Sequence, residues 1–136
     1  VVPGPGIYNA GGGLSTAFSR SSPVVLIAGQ IPRDGFGKNF GGLHEVNDQK
    51  EITNPVTKWQ KQVLRPHEVP EGIHEAFKQA QSDRPSPVHF ELPPETMVER
   101  EDVELLEPAK IERKVPADSI IEQAAIEISA ARKPVL

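Results

Sequence analysis

The stretch PVVLIAG, residues 23–29, decides the fold of this chain. It is a continuous apolar run between turn-forming residues, which is typical of a strand buried on both faces of a parallel sheet. A second run, PVHFELP at residues 87–93, is bounded by prolines in the same way. A third, shorter strand is predicted over residues 56–60. Because helical patterns separate these strands, the sequence predicts an α/β fold: a parallel sheet with helices on both faces.

Three helices are predicted from apolar periodicity. The first covers about residues 7–20, and the second begins at Val69-Pro70, with proline at a first-turn position. The third covers residues 116–132 and has a clear apolar stripe. The apolar faces comprise Leu14, Ala17 and Phe18 in the first helix, Ile73, Ala76, Phe77 and Ala80 in the second, and Ile120, Ile121, Ala124, Ala125 and Ile128 in the third.

Composition bounds the organisation of the chain. Its 136 residues are about one domain long, and residues 94–115 are rich in charge and proline without periodicity. We therefore expect one domain over residues 1–95, a linker over 96–115, and the start of another domain over 116–136. The first residues have the pattern of a strand tail, so we also expect the sequence to be a piece of a longer protein.

The same composition excludes several classes of function. The net charge is −4 and the 15 basic residues are scattered, which argues against nucleic-acid binding. The chain contains no cysteine, which excludes disulfides and thiolate chemistry and fits the cytoplasm. The longest apolar run is too short to span a bilayer, so we expect no membrane association.

The glycines of VVPGPGIYNAGGG, residues 1–13, allow three interpretations: a phosphate cradle, a plain tight turn, or a seat for another flat or charged ligand. The spacing nearly matches a dinucleotide fingerprint, but Asn9 stands where the third glycine belongs. The fingerprint also needs a preceding strand and an acidic residue about twenty positions on, and neither is supplied. Gly4 and Gly6 around the rigid Pro5 nevertheless give a preset turn without side chains.

Several motifs together resemble thiamine-diphosphate-dependent enzymes of the acetolactate synthase type. They are PGPGIYNA, SPVVLIAGQIP, GLHEVNDQ, TKW, EAFKQAQSDRPSPVHFELP and the final ARKPVL. The resemblance covers nearly the whole chain and implies a thiamine-diphosphate-binding fold. It places residues 1–95 in the later part of the pyrimidine-binding domain and residues 116–136 at the opening of the central domain.

The resemblance implies which residues bind the cofactor. It assigns Gly4, Pro5 and Gly6 to the seat of the aminopyrimidine ring of thiamine diphosphate, with Asn9 beside the pocket. The alternative for Asn9 is a helix N-terminal residue that satisfies backbone donors. The diphosphate and magnesium belong to a separate domain whose Gly-Asp-Gly motif is absent here, so we expect the magnesium ligands outside this chain. The sequence leaves FAD binding undetermined.

Two further residues receive catalytic roles by the same resemblance. His44, in Leu43-His44-Glu45, stands where acetolactate synthases usually carry glutamine, and its ring could orient an intermediate or shuttle a proton. Lys58 matches a lysine near the substrate channel and could hold the carboxylate of a 2-oxo acid. Each also has a structural alternative: a satisfied histidine, and a solvated lysine at a strand end. The departure at His44 leaves the substrate open.

For the full-length protein, the resemblance implies a thiamine-diphosphate-dependent transferase or lyase. Such an enzyme decarboxylates a 2-oxo acid and joins the resulting enamine to a second carbonyl, with acetolactate formation from pyruvate as the first choice. We expect a homodimer or homotetramer with the active site between subunits. The family's activating glutamate lies upstream of the turn, so we expect this chain alone to be inactive. The alternatives are another 2-oxo acid decarboxylase or carboligase, or a non-catalytic module on the same fold.

Overall fold

The computed structural model describes residues 1–112 and 114–135. It contains three strands and five α-helices in an alternating order, which confirms the predicted α/β class. In chain order the elements are α1 (Pro5–Ser19), β1 (Val25–Gly29), α2 (Gln49–Thr53), β2 (Trp59–Gln62), α3 (Val69–Gln81), β3 (Val88–Leu92), α4 (Pro94–Val98) and α5 (Asp118–Ala130).

The three strands form one parallel sheet, as predicted, and their order in the sheet is β1-β3-β2. Val88 on the central strand stands in register with Val25 on one side and Trp59 on the other. Val1 lies along the free edge of β1: its backbone nitrogen donates to the Ile27 carbonyl at 2.7 Å, and the Gly29 N–H donates to the Val1 carbonyl at 2.9 Å. This is the hydrogen-bond pattern of a parallel neighbour, so the chain leaves Val1 at the carboxyl edge of the sheet.

One face of the sheet is apolar and is covered by α3. Ala76 and Ala80 on this helix pack against Val88, with Val25 and Trp59 beside them. The three strand residues share a face because they are in register, and in-register residues of neighbouring strands point to the same side of a sheet. Burial of this apolar layer supplies the hydrophobic stabilisation of the α3 side.

The opposite face of the central strand is polar. His89 and Glu91 point to this side, in register with Gln60 and Gln62 of β2, and both are fully buried. The short helix α2 covers them, and α1 packs beside α2. Buried polar groups must find hydrogen-bond partners, so this face demands a specific set of side chains.

Two expectations about burial were wrong. The β1 strand is buried on one face only, since Leu26 and Ala28 are buried while Ile27 is 47% exposed. The reason is that α3 packs chiefly across β3 and β2 and leaves the β1 side of its face less covered. Phe77 was expected on the core face of α3 but is 50% exposed, because the helix meets the sheet through its small residues.

Several element boundaries also differ from prediction. The second strand begins at Trp59 rather than residue 56, because Asn54-Pro55-Val56 forms a 3-10 turn. Helix α1 begins at Pro5, so Pro5 and Gly6 belong to its first turn rather than to a turn before it. Helices α2 and α4 were not predicted.

Helix α4 lies across the expected boundary between residues 95 and 96. Arg33 ties it to the body of the domain: its backbone N–H donates to Glu95 at 3.1 Å, and its guanidinium pairs with Glu99. The division into domain, linker and second domain stays a prediction.

The third predicted helix is present as α5, and its residues are exposed along their whole length, the isoleucines Ile120, Ile121, Ile126 and Ile128 included. Leu136, in the predicted final domain, lies outside the described residues. Among the helices of the described chain, none combines the length and apolar character needed to cross a membrane.

The tight packing of α3 on the central strand predicts opposite effects for two glycine substitutions. A Cβ at Gly72 would lie 2.5 Å from Phe90 Cε2 and 3.2 Å from Val63 Cγ1, and both of these side chains are buried. We expect Gly72→Ala to destabilise the fold by about 1–3 kcal/mol through overpacking.

Gly12→Ala on α1 is the matched control. A Cβ there would meet nothing within 4 Å, so alanine should stabilise the helix by up to about 1 kcal/mol. Thermal unfolding midpoints of both variants beside wild type check this pair. A Gly72 variant that melts at or above wild type would contradict the packing described for α3.

Candidate functional site

The Gly4 turn lies at the carboxyl edge of the sheet and begins α1. Gly4 has a φ of 54°, a left-handed conformation that favours glycine. Its carbonyl accepts from the N–H groups of Ile7 at 3.0 Å and Tyr8 at 3.2 Å, so it starts the helix. A Cβ at this position would lie 2.7 Å from the His44 carbonyl oxygen. Conformation and contact therefore both require glycine at position 4.

His44 reaches this turn from the long loop after β1. The segment Gly42-Leu43-His44-Glu45 is itself a tight turn, in which the Glu45 N–H donates to the Gly42 carbonyl at 3.0 Å. The Glu45 carboxylate in return accepts from the Gly42 N–H at 2.7 Å. His44 has a φ of 65°, and its carbonyl faces Gly4. The structure thus brings together two sequence-predicted segments that lie about forty residues apart, as the edge of a parallel sheet permits.

The predicted cofactor residues form an exposed surface next to this contact. Pro5 and Asn9 are exposed and stand one helical turn apart on the same side of α1, with Tyr8 exposed beside them. Gly6 is half-buried, and a Cβ there would lie 2.8 Å from Val2 Cγ2. The start of α1 therefore offers an exposed, rigid proline ring and one exposed amide side chain beside the glycine turn.

A buried glutamine holds the turn in place. The Gly4 N–H donates to Gln49 Oε1 at 2.8 Å, and Gln49 Nε2 donates to the Gly29 carbonyl at 3.0 Å and to Glu91 Oε2 at 3.1 Å. Gln62 Nε2 donates to the other carboxylate oxygen of Glu91 at 2.8 Å. Burial raises the pKa of Glu91, and the hydrogen bond from Gln49 opposes that rise. Gln49 thereby links the Gly4 turn and the end of β1 to Glu91 on β3. Glu91 is in turn hydrogen-bonded to Gln62 on β2.

His89 occupies the same buried layer one step towards the amino end of β3. Its Nδ1 lies 2.8 Å from Thr53 Oγ1, and its Nε2 lies 3.5 Å from Glu91 Oε2. Nε2 has no hydrogen-bond partner within standard distance. A proton on Nε2 would face the carboxylate, so the structure favours that tautomer. Burial, aided by the positive charge of Lys50, lowers the pKa of His89 to about 4. The ring is therefore neutral at physiological pH.

Lys58 does not join the other predicted site residues. It precedes β2, at the amino end of the sheet, where its backbone N–H donates to the Pro87 carbonyl at 3.0 Å. Its Nζ donates to the carbonyls of Ser82 at 2.7 Å and Arg84 at 3.2 Å. Burial lowers the pKa of Lys58, and the nearby Asp83 carboxylate acts in the opposite direction. In this arrangement Lys58 binds the chain that follows α3.

A cavity of about 140 Å³ lies between the long loop and the carboxyl edge of the sheet. Three carboxylates and one ammonium group line it, from Glu45, Asp48, Glu91 and Lys50. Its lining is therefore mainly acidic. A larger, mostly apolar groove of about 1090 Å³ lies between α3 and residues 99–109, away from the Gly4 turn. Within residues 1–112 and 114–135, no three His, Cys, Asp or Glu side chains are grouped to hold a metal ion.

Gln49 and Glu91 were not among the site residues predicted from the sequence. A signal for Glu91 was present: His89 and Glu91 alternate with apolar residues in a strand that the fold places centrally, so both needed buried partners. Gln49 gave no such signal, because α2 is only five residues long and sits at the end of an irregular loop.

Comparison with known proteins gives the chain its relatives. Residues 1–52 match the family model "Thiamine pyrophosphate enzyme, N-terminal TPP binding domain". A "Probable 2-ketoarginine decarboxylase" of Pseudomonas aeruginosa is 32% identical over 138 residues, which cover 100% of this chain and 25% of that protein.

Two other relatives carry acetolactate synthase names. A "Probable acetolactate synthase large subunit" of Methanocaldococcus jannaschii is 34% identical over 140 residues, which cover 98% of this chain and 23% of that protein. An "Acetolactate synthase" of Arthrospira platensis is 37% identical over 141 residues, covering 98% and 24%. The chain thus spans about a quarter of the length of these relatives.

The buried environment of His89 predicts its titration. The pKa of His89 in the fold, about 4, lies below the ordinary value of 6.5. Its contribution to stability is therefore complete above pH 6.5 and is lost as the pH falls through about 4. In an NMR titration, the His89 Cε1 proton should hold one chemical shift from about pH 8 to about pH 5 and then titrate.

The variant His89→Gln identifies the resonance by its disappearance. A midpoint for this proton between about pH 6 and 7, the range of a solvated histidine, would contradict the burial described here.

Proposed function

Because the chain belongs to the thiamine pyrophosphate enzymes of the acetolactate synthase type, we propose that its full-length protein binds thiamine diphosphate at Gly4, Pro5 and Gly6. The observation that carries this proposal is the start of α1, where Pro5 and Asn9 are exposed on one side of the helix and the contact between the buried Gly4 and the His44 carbonyl fixes the shape of the turn. A flat aromatic ring packs well against a rigid surface, and the positive φ of Gly4 and the ring of Pro5 keep the shape of this turn fixed. The residues present therefore fit the aminopyrimidine ring.

Each predicted residue has a role in this proposal. Pro5 presents a rigid, exposed ring, and Asn9 presents an amide that can both donate and accept on the same side of α1. His44 is half-buried beside Gly4, where an imidazole nitrogen can orient the substrate or carry a proton. When bound, thiamine diphosphate supplies the electron sink for decarboxylation.

The proposed reaction is decarboxylation of a 2-oxo acid followed by transfer to a second carbonyl, with acetolactate formation from pyruvate as the first choice. The proposal includes magnesium, with its ligands outside this chain, and leaves FAD open. It also includes a homodimer or homotetramer whose subunits share the site, a suggestion supported by the exposure of Pro5, Asn9 and Leu43 around the turn. A substrate role for Lys58 would require Nζ to leave the two carbonyls that it now binds.

A second candidate is decarboxylation of a 2-oxo acid with a cationic side chain. The mainly acidic cavity beside the turn favours this candidate, because Glu45, Asp48 and Glu91 outnumber Lys50 in its lining. The 2-ketoarginine decarboxylase name of one relative points the same way. Assays of the full-length protein with pyruvate and with 2-ketoarginine separate the two: acetolactate supports the first, and carbon dioxide release from 2-ketoarginine alone supports the second. Turnover of neither substrate would favour a non-catalytic module.

Cofactor binding is tested by Pro5→Leu in the full-length protein. Leucine at this exposed first-turn position leaves the buried contacts of Gly4 untouched but obstructs a ring seated on the turn. We expect the affinity for thiamine diphosphate with magnesium, measured by calorimetric titration, to fall at least about tenfold, which corresponds to about 1.4 kcal/mol.

Pro55→Leu is the matched control, since Pro55 is also exposed and also lies in the first turn of a helical segment, the 3-10 turn Asn54–Val56 before β2. Its affinity should equal that of wild type. In the same series, His44→Ala should keep the affinity while slowing turnover or changing the product. Wild-type affinity in the Pro5 variant would sink the cofactor assignment.

A further inference from the structure

The hydrogen bonds of Gln49 are complete, and they determine where the Gly4 peptide points. The fully buried side chain uses its oxygen for the Gly4 N–H and its nitrogen for the Gly29 carbonyl and for Glu91. An amide side chain has one oxygen and two N–H groups, so each has a partner here. No other side chain of similar length can make all three of these hydrogen bonds.

Glu91 determines the orientation of the Gln49 side-chain amide. An ionised carboxylate can only accept hydrogen bonds, so it must face the nitrogen of Gln49 and not its oxygen. The oxygen then faces Gly4, 2.8 Å from its N–H. Gln62 holds the second carboxylate oxygen at 2.8 Å, which keeps Glu91 itself in place. The orientation of Gln49 is thus set from the central strand, and the Gly29 carbonyl, which also only accepts, favours the same orientation.

The Gly4 peptide depends on this orientation. It is buried, its φ is 54°, and the His44 carbonyl lies against its Cα. A reversed amide would face the Gly4 N–H with a donor and leave a buried donor unpaired, at a cost of about 1–3 kcal/mol. The turn would then relax away from its present shape.

We propose that Gln49 is a positioning residue which, oriented by Glu91, fixes the Gly4 peptide and thereby the turn that receives the cofactor ring. This inference rests on the proposed cofactor site. Because Gln49 is also the first residue of α2, it joins the end of the long loop to the turn. The loop that carries His44 and the turn that it touches are therefore held by the same side chain.

The test exchanges the chemical groups at the two positions in the full-length protein. Gln49→Glu sets one carboxyl group against another, so neither can donate when both are ionised. We expect at least a tenfold loss of thiamine diphosphate affinity at pH 8. The loss should shrink towards pH 6, because a proton shared between the two carboxyls restores a donor. The other charged groups acting on this site, His89, Lys50 and Asp48, stay unchanged.

Adding Glu91→Gln to Gln49→Glu restores one amide and one carboxylate with their places exchanged. The double variant keeps an acceptor for the Gly4 N–H and regains a donor between the two side chains, but the Gly29 carbonyl loses the donor that Gln49 supplied. Its affinity should therefore exceed that of Gln49→Glu at pH 8 by at least about threefold and stay below that of wild type. A residue that served stability alone would show neither this pH dependence nor this recovery in the affinity.

Gln60→Glu is the matched control. Gln60 belongs to the same polar layer, where its Nε2 donates to the Lys50 carbonyl at 2.7 Å and to Thr53 Oγ1 at 2.9 Å, but it does not touch Gly4. It should lower the melting temperature and leave the cofactor affinity within twofold of wild type. If Gln49→Glu does not fold, Gln49→Met, which removes every bond at similar length, carries the same expectation of a tenfold loss.

Wild-type affinity in Gln49→Glu or Gln49→Met, or a double variant no tighter than the single one, would overturn the positioning role. Failure of the cofactor site itself would show separately, as unchanged affinity in Pro5→Leu. The two failures therefore have different signatures.

Discussion

The rest of this structure depends on the burial of one carboxylate, that of Glu91, in the middle of the sheet. Removing a charge from water is costly unless hydrogen bonds replace the lost solvation, and here two glutamine amides do so. One of them comes from β2 and the other from α2. The need to satisfy Glu91 thus determines how α2 lies on the sheet, and α2 in turn ends the long loop. The hydrogen bonds of buried polar groups therefore determine the packing on the α2 side of the sheet, whereas apolar contacts determine it on the α3 side.

The candidate site is a consequence of this arrangement at the carboxyl edge. Gln49 connects the sheet to Gly4 because its side-chain oxygen accepts a hydrogen bond from the Gly4 N–H. The Gly4 carbonyl then accepts from the N–H groups of Ile7 and Tyr8, which starts α1. The His44 carbonyl closes over the same glycine. A ligand that binds here meets a surface formed before it arrives, and preorganisation of this kind lowers the cost of binding. The exposed residues Pro5 and Asn9 can therefore contact a ligand, because the buried contacts that stabilise the fold are made by other residues.

The structural elements that depend on a local sequence pattern were predicted correctly. Apolar runs bounded by proline and glycine located β1 and β3, and the family resemblance singled out Gly4 and His44, which the structure brings into contact. The sequence could not predict Gln49, because a single glutamine in an irregular loop acquires its role only when a distant carboxylate needs a donor. It placed Phe77 in the core because periodicity counts apolar residues and cannot register that Gly72 and Ala76 let the helix approach more closely.

The central claim is that the turn of residues 4–6, held by Gln49, receives the ring of thiamine diphosphate. A structure of the full-length protein with thiamine diphosphate and magnesium bound tests it most directly. The account predicts that the aminopyrimidine ring lies within about 4 Å of the exposed surface of the turn of residues 4–6, in van der Waals contact, while the Gln49 hydrogen bond to Gly4 stays intact. A diphosphate group at this turn, or a ring bound away from it, would contradict the account.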